Sequence, residues 1–318
     1  MSSQGKCNLC DGTGYDPISS IDRHGEALNT VICVNCGLVQ THPMPNEAEM
    51  AEFYRLEYRK RYKKSPTPPM KHIYRSAHRC LARLEKAKAH IKANMHAVDL
   101  GSGAGEFVFL LKTRGLQVQG IEPSEGYGGF AKNTLGLDIQ IKPIEKAEVK
   151  EESLDIITAH HVIEHMVDPL KSFQTLAKWL KPGGKILAEV PNINSRMHAP
   201  SRRFHFAHIY NFSPETFVAL GKKAGLEVEE VQIEPGTDHI FAVFTKNGQD
   251  NVQMDLEQGL LETRNILRKH TEFSHHLSAY PYSRFFNNLR RPFHEKSAIS
   301  GQTDPKELLQ HIYDNTKF

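Results

Sequence analysis

Cys7-x-x-Cys10 and Cys33-x-x-Cys36 use four of the chain's five cysteines and leave only Cys80 outside. Two such knuckles can wrap one ion in a tetrahedron of thiolates, and Zn²⁺ favours that all-sulfur set. Four thiolates leave no open position, so a zinc ion held by Cys7, Cys10, Cys33 and Cys36 is expected to be structural. It would let residues 1–45 fold without a sizeable core of their own. A second constellation is Val98-Asp99-Leu100-Gly101-Ser102-Gly103-Ala104-Gly105-Glu106-Phe107. An apolar run ends in Asp99, three alternating glycines follow, and a helix can open at Gly105. Such a turn lets backbone approach a ligand closely, and the helix start offers free N–H groups. About 20 residues further on, the next apolar run ends at Glu122, where a carboxylate can accept both hydrogen bonds of a ribose diol. The dinucleotide fingerprint is G-x-G-x-x-G, whereas the spacing here is G-x-G-x-G.

Histidine is abundant, with 18 in the chain, and suits acid–base work near neutral pH. His160 and His161 close an apolar run, at the edge of an α/β sheet where ligands bind. His161-x-x-Glu164-His165 matches a zinc-protease signature in letters. Its place after a strand of a nucleotide fold argues instead for a turn ordered by Glu164 and His165, with one of the two leading histidines on acid–base duty.

These groups need elements to hold them. Strands are expected at His96–Leu100, Val118–Glu122, Ile139–Ile141, Leu154–Ala159, Gly184–Val190, Glu227–Glu234 and Ile240–Thr245. Helices fit Gly105–Arg114, Tyr127–Leu135, Pro169–Leu180 and Ser213–Ala224. That alternation over residues 91–246 predicts an α/β, mostly parallel seven-stranded sheet. The last two strands lack a helix between them and should form an antiparallel edge hairpin. Residues 46–90 read as a helical linker, with Met50, Phe53, Tyr54 and Tyr58 at near-helical spacing. Ser65-Pro66-Thr67-Pro68-Pro69 must break it. Residues 1–45 hold turn formers and little periodicity, and residues 247–318 read as a polar helical extension. Within it, Tyr280–Phe293 mixes aromatics with Arg284, Arg290 and Arg291, read as a packed extension with snorkelling arginines.

Asp99-Leu100-Gly101-Ser102-Gly103-Ala104-Gly105 resembles the first motif of class I S-adenosylmethionine methyltransferases, and Glu122 stands at that family's ribose-binding acid. Leu154–His165 resembles its fourth strand and following turn, and Lys181-Pro182-Gly183-Gly184 the turn into its fifth. The resemblance implies a Rossmann-like fold and S-adenosylmethionine as cofactor. Gly101, Gly103 and Gly105 would then face the methionine part, with Asp99 beside them, Glu122 would hold the ribose, and Ile144 and Glu145 would lie near the adenine. Arg203–Thr216 resembles the segment that closes over the substrate, making His208 a third catalytic candidate and Tyr210 and Arg203 substrate contacts. The cysteine segment through Pro43-Met44-Pro45 is similar to the zinc-binding N-terminus of some bacterial sugar methyltransferases. Residues 247–318 stand where the sugar C-methyltransferases carry a long C-terminal domain.

The expected function is therefore methylation of a small molecule, such as a sugar, a nucleotide-linked sugar or a related metabolite, phosphorylated ones included. The alternatives are an RNA methyltransferase gripping nucleic acid through the zinc module, and a cofactor-binding protein without catalysis. A net charge of +3 gives nucleic acid little to follow. No run of about 18 apolar residues and no apolar leader occurs, so the cytoplasm is the expected compartment.

Overall fold

The computed structural model describes residues 5–56, 67–282, 295 and 298–316. Tyr58, Ser65, Pro66, Arg284, Arg290 and Arg291 lie outside them. Among the described residues no helix is long and apolar enough to cross a membrane.

The principal sheet has seven strands in the order β10-β11-β8-β7-β4-β5-β6. They are β4 (His96–Leu100), β5 (Gln117–Ile121), β6 (Ile139–Gln140), β7 (Leu154–His160), β8 (Leu180–Val190), β10 (Glu227–Ile233) and β11 (Ile240–Thr245). β4 pairs in parallel with both β5 and β7, and β5 with β6. β10 and β11 form the antiparallel hairpin at one edge. The α/β reading of residues 91–246 holds strand for strand, with ends shifted by a few residues. β11 is buried along its whole length and β4 from Ala97 to Leu100, as strands covered on both faces must be.

The chain packs as two compact bodies. One comprises Glu52–Ala159, Trp179–Leu187 and Asn287–Phe318. In it, α2 (Met70–Ala87) starts directly after Pro69, where the proline run permits a helix to begin. Its buried stripe, Ile73, Ala77, Cys80, Leu84 and Ala87, repeats every three or four residues. That stripe faces α3 (Glu106–Thr113), which is buried on all sides from Glu106 to Leu111. α4 (Glu125–Asn133) is capped by Ser124. The terminal helix α9 (Pro305–Asp314) packs on α2 and α3. Its Tyr313 is fully buried and donates its hydroxyl proton to the Glu106 carbonyl at 2.9 Å. Arg114 closes the helix end by donating to the carbonyls of Tyr313 and Thr316. Tyr313→Phe should leave the Glu106 carbonyl without this donor and cost about 1–1.5 kcal/mol, measured as a shift in urea midpoint with unchanged slope.

The other body comprises Met1–Ala51, His160–Lys178 and Ala188–Phe286. Here residues 1–45 are more regular than their sequence suggests. β1 (Tyr15–Ile21), β2 (Ala27–Cys33) and β3 (Val39–Thr41) form an antiparallel sheet that β9 (Tyr210–Asn211) extends. Register shifts at Pro17/Ser19 and Ser19/Ile21 break the alternation that would have announced β1. Leu28, Ile32 and Val39 from this sheet pack with Ile193, Phe204 and Leu260. The helices α5 (Pro169–Trp179), α6 (Pro214–Lys223), α7 (Leu256–Lys269) and α8 (Glu272–His276) follow, α6 opening with a Ser213–Thr216 capping box. Phe173, Phe217 and Phe244 meet edge to face at 5.1–6.0 Å. α1 (Glu47–Leu56) begins with reciprocal hydrogen bonds between Asn46 and Glu49.

Candidate active site

At the end of β4 the backbone turns through Gly101, Gly103 and Gly105 with φ of 61°, 57° and 84°. These left-handed values suit glycine and strain other residues. Gly105 is fixed by packing as well, since a Cβ there would stand 2.6 Å from Leu137 and 2.9 Å from Ala131. Gly103 is the reverse case, because a Cβ would meet only the Gly101 carbonyl oxygen, at 4.0 Å. The turn is thus packed on one side and open on the other, as close approach of a ligand to backbone requires.

Glu122 follows β5 and is 9% exposed. Its Oε2 accepts from the Gly103 N–H at 2.9 Å and its Oε1 from the Ser124 N–H at 2.8 Å. The carboxylate therefore ties the glycine turn to the start of α4, and a carboxylate oxygen can accept more than one hydrogen bond. Asp99 lies inside the sheet, 4% exposed, and accepts from the Thr158 hydroxyl at 2.7 Å. Burial pushes its carboxyl up to about 7, against the lowering pull of Thr158 and Arg83. Ile144 and Glu145 stand in a short 3₁₀ turn, the first half-buried and the second exposed.

The second body gathers the four cysteines. Cys7 Sγ lies 3.6 Å from Cys36 Sγ and Cys10 Sγ 3.5 Å from Cys33 Sγ, and all four sulfurs fall within 4.8 Å of one another. All are free thiols. Zn–S bonds of about 2.3 Å in a tetrahedron put sulfurs about 3.8 Å apart, so the donor set fits such an ion. Each knuckle is closed by backbone bonds, Asp11 N–H to Cys7 C=O at 2.9 Å and Gly37 N–H to Cys33 C=O at 3.0 Å.

The same body holds the histidines. His160 ends β7, half-buried. His161 follows with φ of 57°, an uncommon conformation for a side chain of its size. Its N–H donates to the Glu189 carbonyl, its Nε2 lies 2.9 Å from Glu189 Oε1, and its Nδ1 lies 3.3 Å from Glu164 Oε1. Burial lowers the affinity of His161 for a proton, but the two carboxylates overcome this and raise it to about 9. His161 therefore carries its proton through neutral pH. His239 stands edge-on to it, with ring centroids 4.5 Å apart. His208 is a different kind of group, since burial holds it well below the ordinary histidine value. It packs against His165 at 4.9 Å and His205 at 3.8 Å.

The structure thus brings His161 and His208 together around Glu164. Tyr210 is 2% exposed, its hydroxyl donating to the Val167 carbonyl. Arg203 sits against His270 Nδ1 at 2.8 Å, with burial lowering its guanidinium to about 10. Glu189 and His239 had not been singled out from sequence. Glu189 left a trace, as an acid inside the apolar run Ile186–Val190, whereas a histidine between a turn and a strand leaves none.

The profile of the methyltransferase-domain family matches residues 70–231. The ubiquinone biosynthesis O-methyltransferase of Coxiella burnetii (strain RSA 493 / Nine Mile phase I) is 32% identical over 108 residues, 32% of this chain and 46% of that protein. Its namesake in Stutzerimonas stutzeri (strain A1501) is 29% identical over 161 residues, 48% of this chain and 67% of that one. The chain spans about half the length of the first of these curated relatives. The solved Burkholderia thailandensis 1,6-didemethyltoxoflavin-N1-methyltransferase shares the fold, with a TM-score of 0.51 at 13% identity over 68% of this chain and 98% of that one. Matched over half its length by the profile, the chain belongs to the methyltransferase-domain family and carries the class I S-adenosylmethionine methyltransferase fold.

Proposed function

We propose that the protein is an S-adenosylmethionine-dependent methyltransferase whose acceptor is a hydroxylated small molecule, a sugar or a ring alcohol or phenol. The observation that carries this reading is the glycine turn, open at Gly103 and tied to the Glu122 carboxylate. Gly101 and Gly103 would lie along the methionine part, Glu122 would accept the ribose hydroxyls, and Ile144 and Glu145 would border the adenine. When bound, the cofactor supplies an electrophilic methyl on a sulfonium, and positioning the acceptor oxygen in line with it is the main catalytic task. O-methylation is named for the curated relatives, which supports an oxygen acceptor here.

On the acceptor side, His161 is the acid–base group of this proposal: protonated between Glu164 and Glu189 at neutral pH, it would take the acceptor's proton only in its deprotonated fraction, which grows toward pH 9. His160 and His208 are the further candidates, and Arg203 and Tyr210 would order the segment that covers the acceptor. The four cysteines would hold one structural zinc, leaving residues 1–45 as a metal-stabilised module ahead of the methyltransferase domain at 91–246.

Calorimetry tests the reading. S-adenosylmethionine should bind, and Glu122→Ala should weaken it by about 1–3 kcal/mol, the scale for losing hydrogen bonds to a charged group. Binding of NAD in its place, or equal affinity in the variant, would refute it. His161→Ala should slow turnover about 100-fold with cofactor affinity unchanged, the low end for an acid–base group, because the native ring already holds its proton.

A further inference from the structure

We propose that Glu164, His165 and His208 form a divalent-cation site that would take an oxygen of the acceptor. This rests on the methyltransferase reading for the identity of the ligand, but the cation site stands on its own geometry.

Glu164 is 1% exposed, and neither of its carboxylate oxygens accepts a hydrogen bond among the described residues. Three histidine nitrogens surround it instead. His161 Nδ1 is 3.3 Å from Oε1, while His165 Nε2 and His208 Nε2 are each 3.9 Å away. The charged His161 ring meets Oε1 from one side, and a carboxylate this buried can take further positive charge where other ligand atoms face it.

His165 shows which kind of charge. Its Nδ1 lies 2.6 Å from the Ala207 carbonyl oxygen. A carbonyl can only accept, so Nδ1 carries a hydrogen, and Nε2 is the ring atom turned toward Glu164. A backbone carbonyl fixing one ring nitrogen while the other faces an ion is the usual support of a metal-bound histidine. Nε2 and Oε1, 3.9 Å apart, are too distant for a hydrogen bond and leave room for an ion between them. Ligands about 2.1 Å from one tetrahedral ion sit about 3.4 Å apart, so a contraction of about half an ångström closes the two gaps to Glu164, and all three ligand atoms already lie within 4.8 Å of one another.

The neighbouring trio of His161, Glu189 and His239 also brings three ligand atoms within 4.8 Å. There, however, His161 Nε2 already meets Glu189 at hydrogen-bond distance. Glu164 has no such closure. Two imidazoles and one carboxylate suit a borderline ion such as Zn²⁺, Co²⁺, Mn²⁺ or Fe²⁺, and three protein ligands leave positions open. This is the opposite of the closed sulfur set at the cysteines. An open cation would hold an acceptor hydroxyl and favour its ionised form, which suits a catechol, a diol or a hydroxy acid able to offer two oxygens.

The experiment is a Co²⁺ titration of the protein loaded with one equivalent of zinc, followed by visible absorption. One Co²⁺ per chain should bind with the weak bands of a nitrogen–oxygen site, lacking the intense near-ultraviolet bands of cobalt thiolates. Glu164→Gln preserves volume, and with His165→Ala and His208→Ala it should weaken Co²⁺ at least about tenfold, each variant being confirmed folded by circular dichroism. Absence of saturable binding, thiolate bands alone, or equal affinity in all three folded variants would overturn the site. S-adenosylmethionine calorimetry on the same samples separates the two readings. Normal cofactor binding without cobalt binding removes only the cation, whereas wild-type protein that binds cobalt but no cofactor removes the methyltransferase reading.

Discussion

Chelating the zinc proposed for the cysteine knuckles should unfold the loops they form and loosen β1–β3, the largest stability change expected of this protein. Structural zinc in small domains is worth about 10–16 kcal/mol in apparent binding free energy at neutral pH. Without an ion, the four sulfurs crowd within 4.8 Å of one another, and their simultaneous ionisation is opposed by mutual repulsion. Cys7 is pushed up to about 12, by its contact with Cys33 first and by burial besides. The sheet has support besides the proposed zinc, because Leu28, Ile32 and Val39 bury against Ile193, Phe204 and Leu260. Apolar contact of this kind persists when the ion leaves. The expected result is graded: amides of residues 7–12 and 33–38 lose protection from hydrogen exchange first and most, and those of β2 lose less. Cys33→Ser should reproduce the pattern, whereas Cys80→Ser, outside the knuckles, should leave it untouched. Elemental analysis should return one zinc per chain with the cysteines protected from alkylation. Free alkylation of all four in metal-replete protein would end the proposal.

The parts of this architecture that could be read from sequence are those made by local rules. β4 was expected and found at His96–Leu100 because a doubly covered parallel strand is a short apolar run before a glycine turn. α2 begins at Met70 because a proline run allows a helix to start only after it. β9 is two residues long and exists only because it pairs with β3, far away in sequence. No local pattern marks it. The histidine cluster divides in the same way. His161, Glu164 and His165 are neighbours in sequence and were grouped by it, while His208 and His239 come from segments that only the folded chain brings near. His208 was picked out by family likeness, and His239 had no such signal. Tyr210 lies in the segment that resembles the family's, but its hydroxyl is turned to the Val167 carbonyl by a contact no local pattern records.

Asp99→Asn should make the protein more stable above pH 8 and leave its stability near pH 4 almost unchanged. The wild-type carboxyl sits at about 7 when folded, against 3.8 as the ordinary value, because burial penalises its charge more than Thr158 and Arg83 relieve it. Between those two pH values the folded chain binds more protons than the unfolded one. Stability therefore falls as pH rises through this window, the reverse of a salt-bridged carboxylate. The gap of about three pH units, at about 1.4 kcal/mol each, sets the full penalty at about 4 kcal/mol once the group ionises in place. Asparagine cannot ionise, fills nearly the same volume, and its side-chain oxygen can still accept from the Thr158 hydroxyl. The substitution thus removes the slope while keeping the bond. Unfolding free energies of both proteins from urea titrations at pH 4, 6, 7 and 8.5 should diverge steadily through the window, with the variant ahead at the alkaline end. Parallel curves would mean that Asp99 keeps its charge in the folded sheet, and the desolvation account of this residue would then fail.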